Sequence, residues 1–193
     1  MARSAFRGKE RTITDERPVE PLPPAAADDT ATVTRITDLI NEVYASAEEG
    51  LWADGAKRTN PEEVAGFVRA GQIAVARIDG RLVGCVRIRE VNDTTSEFGM
   101  LAADPAHRGL GVGRDLVRFA ERGVRNAGHD TMRLELLVPR EWSHPSKEFL
   151  AGWYGRLGYT VTGVGAVEES YPGLAPLLAT TCDFVIYEKT LRA

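Results

Sequence analysis

The sequence predicts an α/β fold: a mixed sheet of about six to seven strands with helices on both faces. Two observations carry that prediction. The first is "QIAVARIDGRLVGCVRIREV", residues 72–91, in which two apolar-rich runs are joined by Asp79-Gly80, the dipeptide of a type I′ hairpin. The second is the later alternation of strand-like runs with helical periodicity, which is how βαβ units read. Hairpins first and βαβ units afterwards give a sheet holding both antiparallel and parallel pairs.

The elements follow in order. A short extended piece near Val19 to Leu22 is closed by Pro23-Pro24. Asp28, Asp29 and Thr30 are capping residues before Val33, Ile36, Leu39, Ile40, Val43 and Tyr44, whose spacing is helical. Asn60-Pro61 starts a second, shorter helix carrying Val64, Phe67 and Val68. After the hairpin, "SEFGMLAAD" is a fourth strand, ended by Pro105. A third helix shows Val112, Leu116, Val117, Ala120 and Val124 on one face and stops at Gly128. "TMRLELLV" is the fifth strand, a helix spans roughly 146 to 157, and "YTVTGV" and "CDFVIYEKTL" are the last strands.

With 193 residues, 43% of them hydrophobic, the chain supports one domain with a full core. Residues 1–17 alternate basic and acidic groups with few large apolar ones and read as a flexible N-terminal tail; residues 18–193 form the domain. The net charge of −4 argues against a nucleic-acid binder, which needs clustered positive charge. No apolar run is long enough for a membrane span or signal peptide, so no membrane partner and a cytoplasmic protein are expected. Cys85 and Cys182 lie in apolar runs without metal-ligand spacing and read as reduced core residues. No metal is expected.

"DPAHRGLGVGRDLVRFAER", residues 104–122, sets glycines at 109, 111 and 113 where a helix begins. A helix N-terminus presents unpaired N–H groups and a positive dipole end, and glycines let an anion approach them. Gly113 is followed by Arg114-Asp115, which excludes a Walker A loop, and Arg114 stands where a dinucleotide fingerprint needs its third glycine. What remains is Arg-x-x-Gly-x-Gly, which reads either as a flexible turn before a helix or as a run of amides able to wrap a pyrophosphate.

The element order, "GMLAADPAHRGLGVG" and, about forty residues on, "WYGRLGY" together resemble the GNAT superfamily of acyl-CoA-dependent N-acyltransferases, over about residues 18 to 190. The resemblance implies a GNAT fold splayed between strands four and five, with acetyl-CoA as acyl donor. It implies that the diphosphate lies on Arg108, Gly109, Leu110, Gly111, Val112 and Gly113, with Arg114 beside them. The backbone of Leu101, Ala102 and Ala103 would pair with the pantetheine arm as a neighbouring strand does.

Tyr154 matches the tyrosine of the second block, whose implied role is general acid to the CoA sulfur. Glu97, four residues before Leu101, stands where some family members, including histone acetyltransferases, carry the general base. Strict alternation places it on the face of Gly99 and Leu101, with Glu135 on strand five as a rival. The chain departs from the family pattern in "PREWSHPSKEF", where Lys147 replaces the usual Asn and where Trp142, His144 and Ser146 are expected at the cleft mouth. It departs again in "GAVEESYPGLAPLLATTC", whose Glu168 and Glu169 are candidates for binding the acceptor's cation. The apolar groups of that stretch suggest an ordered lid or a homodimer contact.

The resemblance implies acetyl transfer from acetyl-CoA, here expected to go to a primary amine of a small molecule by direct attack, with no covalent enzyme intermediate because no activated Cys or Ser is apparent. The alternatives are a peptide or protein acceptor, another acyl donor, or a CoA-binding module without chemistry.

Overall fold

The computed structural model of the chain describes residues 18–191, and the tail expected over residues 1–17 lies outside them. Seven strands form one sheet in the order β1-β2-β3-β4-β5-β7-β6. They are β1 Val19–Pro21, β2 Ile73–Ile78, β3 Arg81–Asn92, β4 Thr95–Ala103, β5 Thr131–Pro139, β6 Thr160–Ala166 and β7 Cys182–Thr190. The β4/β5 pair is parallel and the other pairs are antiparallel. Asp79 and Gly80 both have positive φ, 49° and 76°, as the type I′ turn between β2 and β3 requires.

Helices α1 (Thr30–Ala47) and α2 (Pro61–Arg69) cover one face. The Asp29 carboxylate accepts from the Ala31 amide at 3.1 Å, and the Asn60 side chain accepts from Glu63 at 3.0 Å, so both expected caps form. Ile36, Leu39, Ile40, Val64 and Val68 pack there on Val75, Cys85, Met100 and Ala102. Helices α3 (Val112–Asn126) and α4 (Pro145–Arg156) cover the other face, where Leu116, Val117 and Ala120 pack on Val83, Val86, Phe98 and Leu134. A third cluster, Leu51, Leu137, Val167, Cys182 and Phe184, anchors the segment between β6 and β7. That segment holds the one-turn helix α5 (Val167–Ser170) and is ordered onto its own chain through Tyr171, Leu174 and Leu178.

Two features of β4 shape the centre of the sheet. Its pairing with β5 stops after Glu97↔Arg133, so from Gly99 onward β4 has a neighbour on the β3 side only. The strands splay as the resemblance implied. The second feature is a bulge: Cys85 pairs with Ala102 but Arg87 with Gly99, and Met100 takes φ 48° to absorb the extra residue. The bulge corrects one expectation. Strict alternation put Glu97 on the face of Leu101, yet Leu101 packs with Phe98 in the α3 cluster. Glu97 instead shares the α1/α2 face with Met100.

Candidate active site

The site starts at the glycine loop. Asp104 caps a 3-10 turn, Pro105–His107, by accepting from the Ala106 amide at 2.9 Å, and it pairs with Arg35 on α1 at 3.1 Å. Gly109 and Gly111 then take φ 83° and 85°, conformations open to glycine and strained for other residues. Gly111 is the N-cap of α3 and offers no side chain to its amides. The Arg108 and Leu110 amides are bonded inside the turn, to the carbonyls of Pro105 and His107. The amides of Gly109 and Gly111 in the loop and of Val112, Gly113 and Arg114 in the first turn of α3 are therefore the donors left for an anion. Gly84 on β3 sets the helix close to the sheet: a Cβ there would meet Val112 Cγ1 at 2.7 Å and Leu116 Cδ1 at 3.0 Å.

A cleft of about 160 Å³ runs from the splay into the protein. Its walls are Gly99, Met100 and Leu101 on β4, Glu135 to Leu137 on β5, and Tyr44, Arg58 and Tyr154. Tyr154, on α4, packs its ring among Phe98, Trp153, Tyr159 and Tyr187, with centroids 5.1 to 6.1 Å away. Burial pushes its phenol well above the ordinary tyrosine value, and no described residue hydrogen-bonds to it. It is a neutral O–H donor without an acceptor among the described residues, at the wall of the cleft.

Beside the cleft is a polar cavity of about 410 Å³, lined by Arg58, Glu63, Arg87, Arg89, Glu97 and Glu135 among others. The Glu97 carboxylate is held by Arg89 at 2.7 Å and Arg133 at 3.3 Å. Arg133 also pairs with Glu135, which accepts from the Tyr171 hydroxyl at 2.7 Å. Burial first, then hydrogen bonding to Glu135, pushes the Tyr171 phenol up to about 12. The lone carboxylate expected at 97 is one member of an ion-pair chain.

The remaining candidates lie apart. His144 is the N-cap of α4: its Nδ1 accepts from the Ser146 amide at 3.2 Å, which leaves the proton on Nε2 to donate to the Glu49 carbonyl at 3.1 Å. Both ring nitrogens are spent, and the ring is buried against Trp142. Trp142 packs over Gly50. Neither residue lines the cleft or the polar cavity, contrary to their expected place at the cleft mouth. Glu168 takes a bidentate pair with Arg140, at 2.8 and 3.3 Å, and Glu169 is exposed; both are likewise outside the two cavities.

Lys147 does reach the cleft wall. Its side chain is 5% exposed and its ammonium donates to Glu48 at 2.5 Å, while Trp52 Nε1 donates to the other Glu48 oxygen at 2.6 Å. Burial raises Cys85 to about 12 and Cys182 to about 11, so neither thiol is an activated nucleophile. Among the described residues no cluster of His, Cys, Asp and Glu is arranged to hold a metal.

Sequence reasoning missed Tyr44, Arg58, Arg87 and Arg89 as site residues. For the strand pair a signal existed: "VRIRE" alternates two arginines against Val86 and Ile88, so one face of a central strand is cationic. Arg58 lies in an aperiodic link and carried no signal.

Residues 69–161 match the family model of the acetyltransferase (GNAT) domain, the span from the end of α2 to the start of β6. The chain carries a GNAT acetyltransferase domain. Solved structures agree on the fold of this acetyltransferase. A Salmonella typhimurium protein solved with its cofactor acetyl-CoA is 18% identical, with TM-score 0.62 over 92% of this chain and 95% of that one. An aminoglycoside 6'-N-acetyltransferase complexed with coenzyme A is 16% identical, with TM-score 0.66 over 91% and 98%. N-acetylglutamate synthase from Neisseria gonorrhoeae is 15% identical, with TM-score 0.61 over 91% of this chain and 35% of that one. No curated protein sequence matches the chain. No described helix of the acetyltransferase is long and apolar enough to cross a membrane.

Proposed function

We propose that this GNAT acetyltransferase moves the acetyl group of acetyl-CoA to a primary amine of a small molecule, by direct attack in a ternary complex. The observation that carries the reading is the splay. From Gly99 to Ala103 one edge of β4 faces β5 without ladder bonds, and the cleft so opened reaches the tyrosine of the "WYGRLGY" block. An amide-rich pantetheine arm satisfies such an edge as an added strand does. The first-turn amides of α3, in line after β4, suit a diphosphate. Acetyl-CoA supplies a thioester and a good leaving group.

The chain supplies the rest. The backbone of Leu101 to Ala103 orients the donor, and the loop from Arg108 to Arg114 fixes its charged end. The Tyr154 hydroxyl, kept protonated by burial, gives its proton to the departing sulfur. Glu97, through water in the polar cavity, accepts the amine's proton, with Glu135 coupled to it through their shared Arg133. The absence of an activated thiol supports direct attack over an acyl-enzyme.

The test is stoichiometric. With acetyl-CoA and a panel of primary amines, free CoA thiol and N-acetyl product should appear one to one, and mass spectra of the protein should show no acetyl adduct. An acetylated protein that forms and decays at the turnover rate would contradict direct attack. Acetyl-CoA binding with no thiol release from any amine, a small peptide amine included, would favour the non-enzymatic module.

A further inference from the structure

We propose that the acceptor amine also carries a carboxylate, and that Arg58 and Arg87 bind it. The inference rests on the polar cavity being the acceptor side of the acetyl-transfer site. That cavity and the cleft share Arg58, Gly99, Met100 and Glu135 as walls, so an acceptor seated in one presents its amine to the other.

The charges of the cavity are unequally committed. Glu97 is paired with Arg89 and Arg133, Glu135 with Arg133 and the Tyr171 hydroxyl, and Glu63 accepts from the Thr59 hydroxyl at 2.6 Å. Each carboxylate has a partner. Among the described residues Arg58 and Arg87 have no carboxylate within 4.0 Å. Arg58 rests instead against the rings of Tyr44 and Trp52, at 5.3 and 5.9 Å. Arg87 lies 3.6 Å over the Phe67 ring and gives only its Nε–H, to the Gln72 side chain at 2.8 Å.

Aromatic contacts hold a guanidinium in place and leave its N–H edge open. That edge is the part that grips a carboxylate in two parallel hydrogen bonds. Burial, followed by the charge of Arg89, lowers the affinity of Arg87 for its proton, against the opposing charges of Glu63 and Glu97.

The same accounting selects the acceptor class. The cavity wall holds three guanidiniums, Arg58, Arg87 and Arg89, and three carboxylates, Glu63, Glu97 and Glu135; Arg133, outside that wall, pairs with both Glu97 and Glu135, so the open charges of the wall are those of Arg58 and Arg87. A carboxylate fits the open N–H edges of those two side chains. The three wall carboxylates favour an anion of one negative charge over a dianionic phosphate, and a polycationic amine would meet two guanidiniums that no carboxylate within 4.0 Å neutralises. An amine and a carboxylate on one small molecule, as in an amino acid, fit this distribution.

The experiment compares L-amino acids with their own carboxamides, as acceptors in the CoA-release assay and as ligands in calorimetric titration of the full-length protein. The free acids should be preferred in kcat/KM by about 10- to 100-fold, the scale of a charge-assisted bidentate contact. Arg58→Gln and Arg87→Gln should each pull that ratio towards one, mainly through the KM of the acid. A preference for carboxamides or diamines, or a ratio unmoved in both variants, would overturn the carboxylate site. The titration separates this from the function itself. Acid-selective binding without thiol release from any amine would leave the site standing and remove acetyl transfer; neither binding nor release would remove both.

Discussion

Tyr154→Phe removes one oxygen from the cleft wall and leaves the ring packing in place. Tyr154 is 6% exposed and its ring touches four aromatic neighbours, none of which depends on the hydroxyl. Because that hydroxyl has no hydrogen-bond partner among the described residues, its loss strands no buried group, and stability should change by about 1 kcal/mol or less. Chemistry is the part that depends on it. If the phenol protonates the leaving thiolate, kcat should fall about 100-fold, the low end for a general acid, equivalent to about 2.7 kcal/mol of barrier. Acetyl-CoA affinity should hold, since the loop and the β4 edge are intact. The assay is single-turnover CoA release at saturating acetyl-CoA, which keeps product release out of the rate. A folded variant with the wild-type single-turnover rate would refute the assignment, and one that fails to fold would show that the hydroxyl has a structural role.

Three further outcomes are expected. Gly84→Val puts a side chain into Val112, Leu116 and the Ala102 carbonyl, 2.7 to 3.2 Å from the new Cβ; thermal unfolding should show a loss of about 1–3 kcal/mol, and calorimetry weaker acetyl-CoA binding as the start of α3 shifts. Glu97→Gln should keep acetyl-CoA affinity but lower kcat/KM at neutral pH by roughly 10- to 100-fold, with the loss shrinking as rising pH deprotonates the amine in solution; a loss independent of pH would point to ion-pair geometry rather than proton transfer. Lys147→Met strands the Glu48 carboxylate in the core and should cost about 3–5 kcal/mol in chemical denaturation, most of it recovered in the double variant with Glu48→Gln.

How much of this was legible in the sequence depends on which signals are local. The Asp79-Gly80 turn, the Asp29 and Asn60 caps and the glycines at 109 and 111 each act within a few residues, and each appears where the letters placed it. The bulge at Met100 left no mark, because period-two reading has no symbol for an extra residue, and one inserted residue reversed which face Leu101 takes relative to Glu97. His144 reads as a loop histidine in "WSHPS"; only the folded chain brings the Glu49 carbonyl to its Nε2. Lys147 and Glu48 are 99 residues apart, a pairing set by packing between α1 and α4 that no local pattern records. Arg58 follows the same logic, since the rings that hold it come from α1 and a link.

The central claim is that the loop after β4 and the opened edge of β4 hold acetyl-CoA, and calorimetric titration of the wild type and of Gly111→Asp tests it most directly. The substitution sets a carboxylate at the N-cap of α3, beside the free amides of Val112 to Arg114, at a φ of 85° that aspartate adopts with modest strain. Wild type should bind acetyl-CoA at a single site, and the folded variant should bind it more weakly by at least ~2 kcal/mol, about 30-fold in Kd. Equal affinity in a variant with unchanged melting temperature would contradict the account.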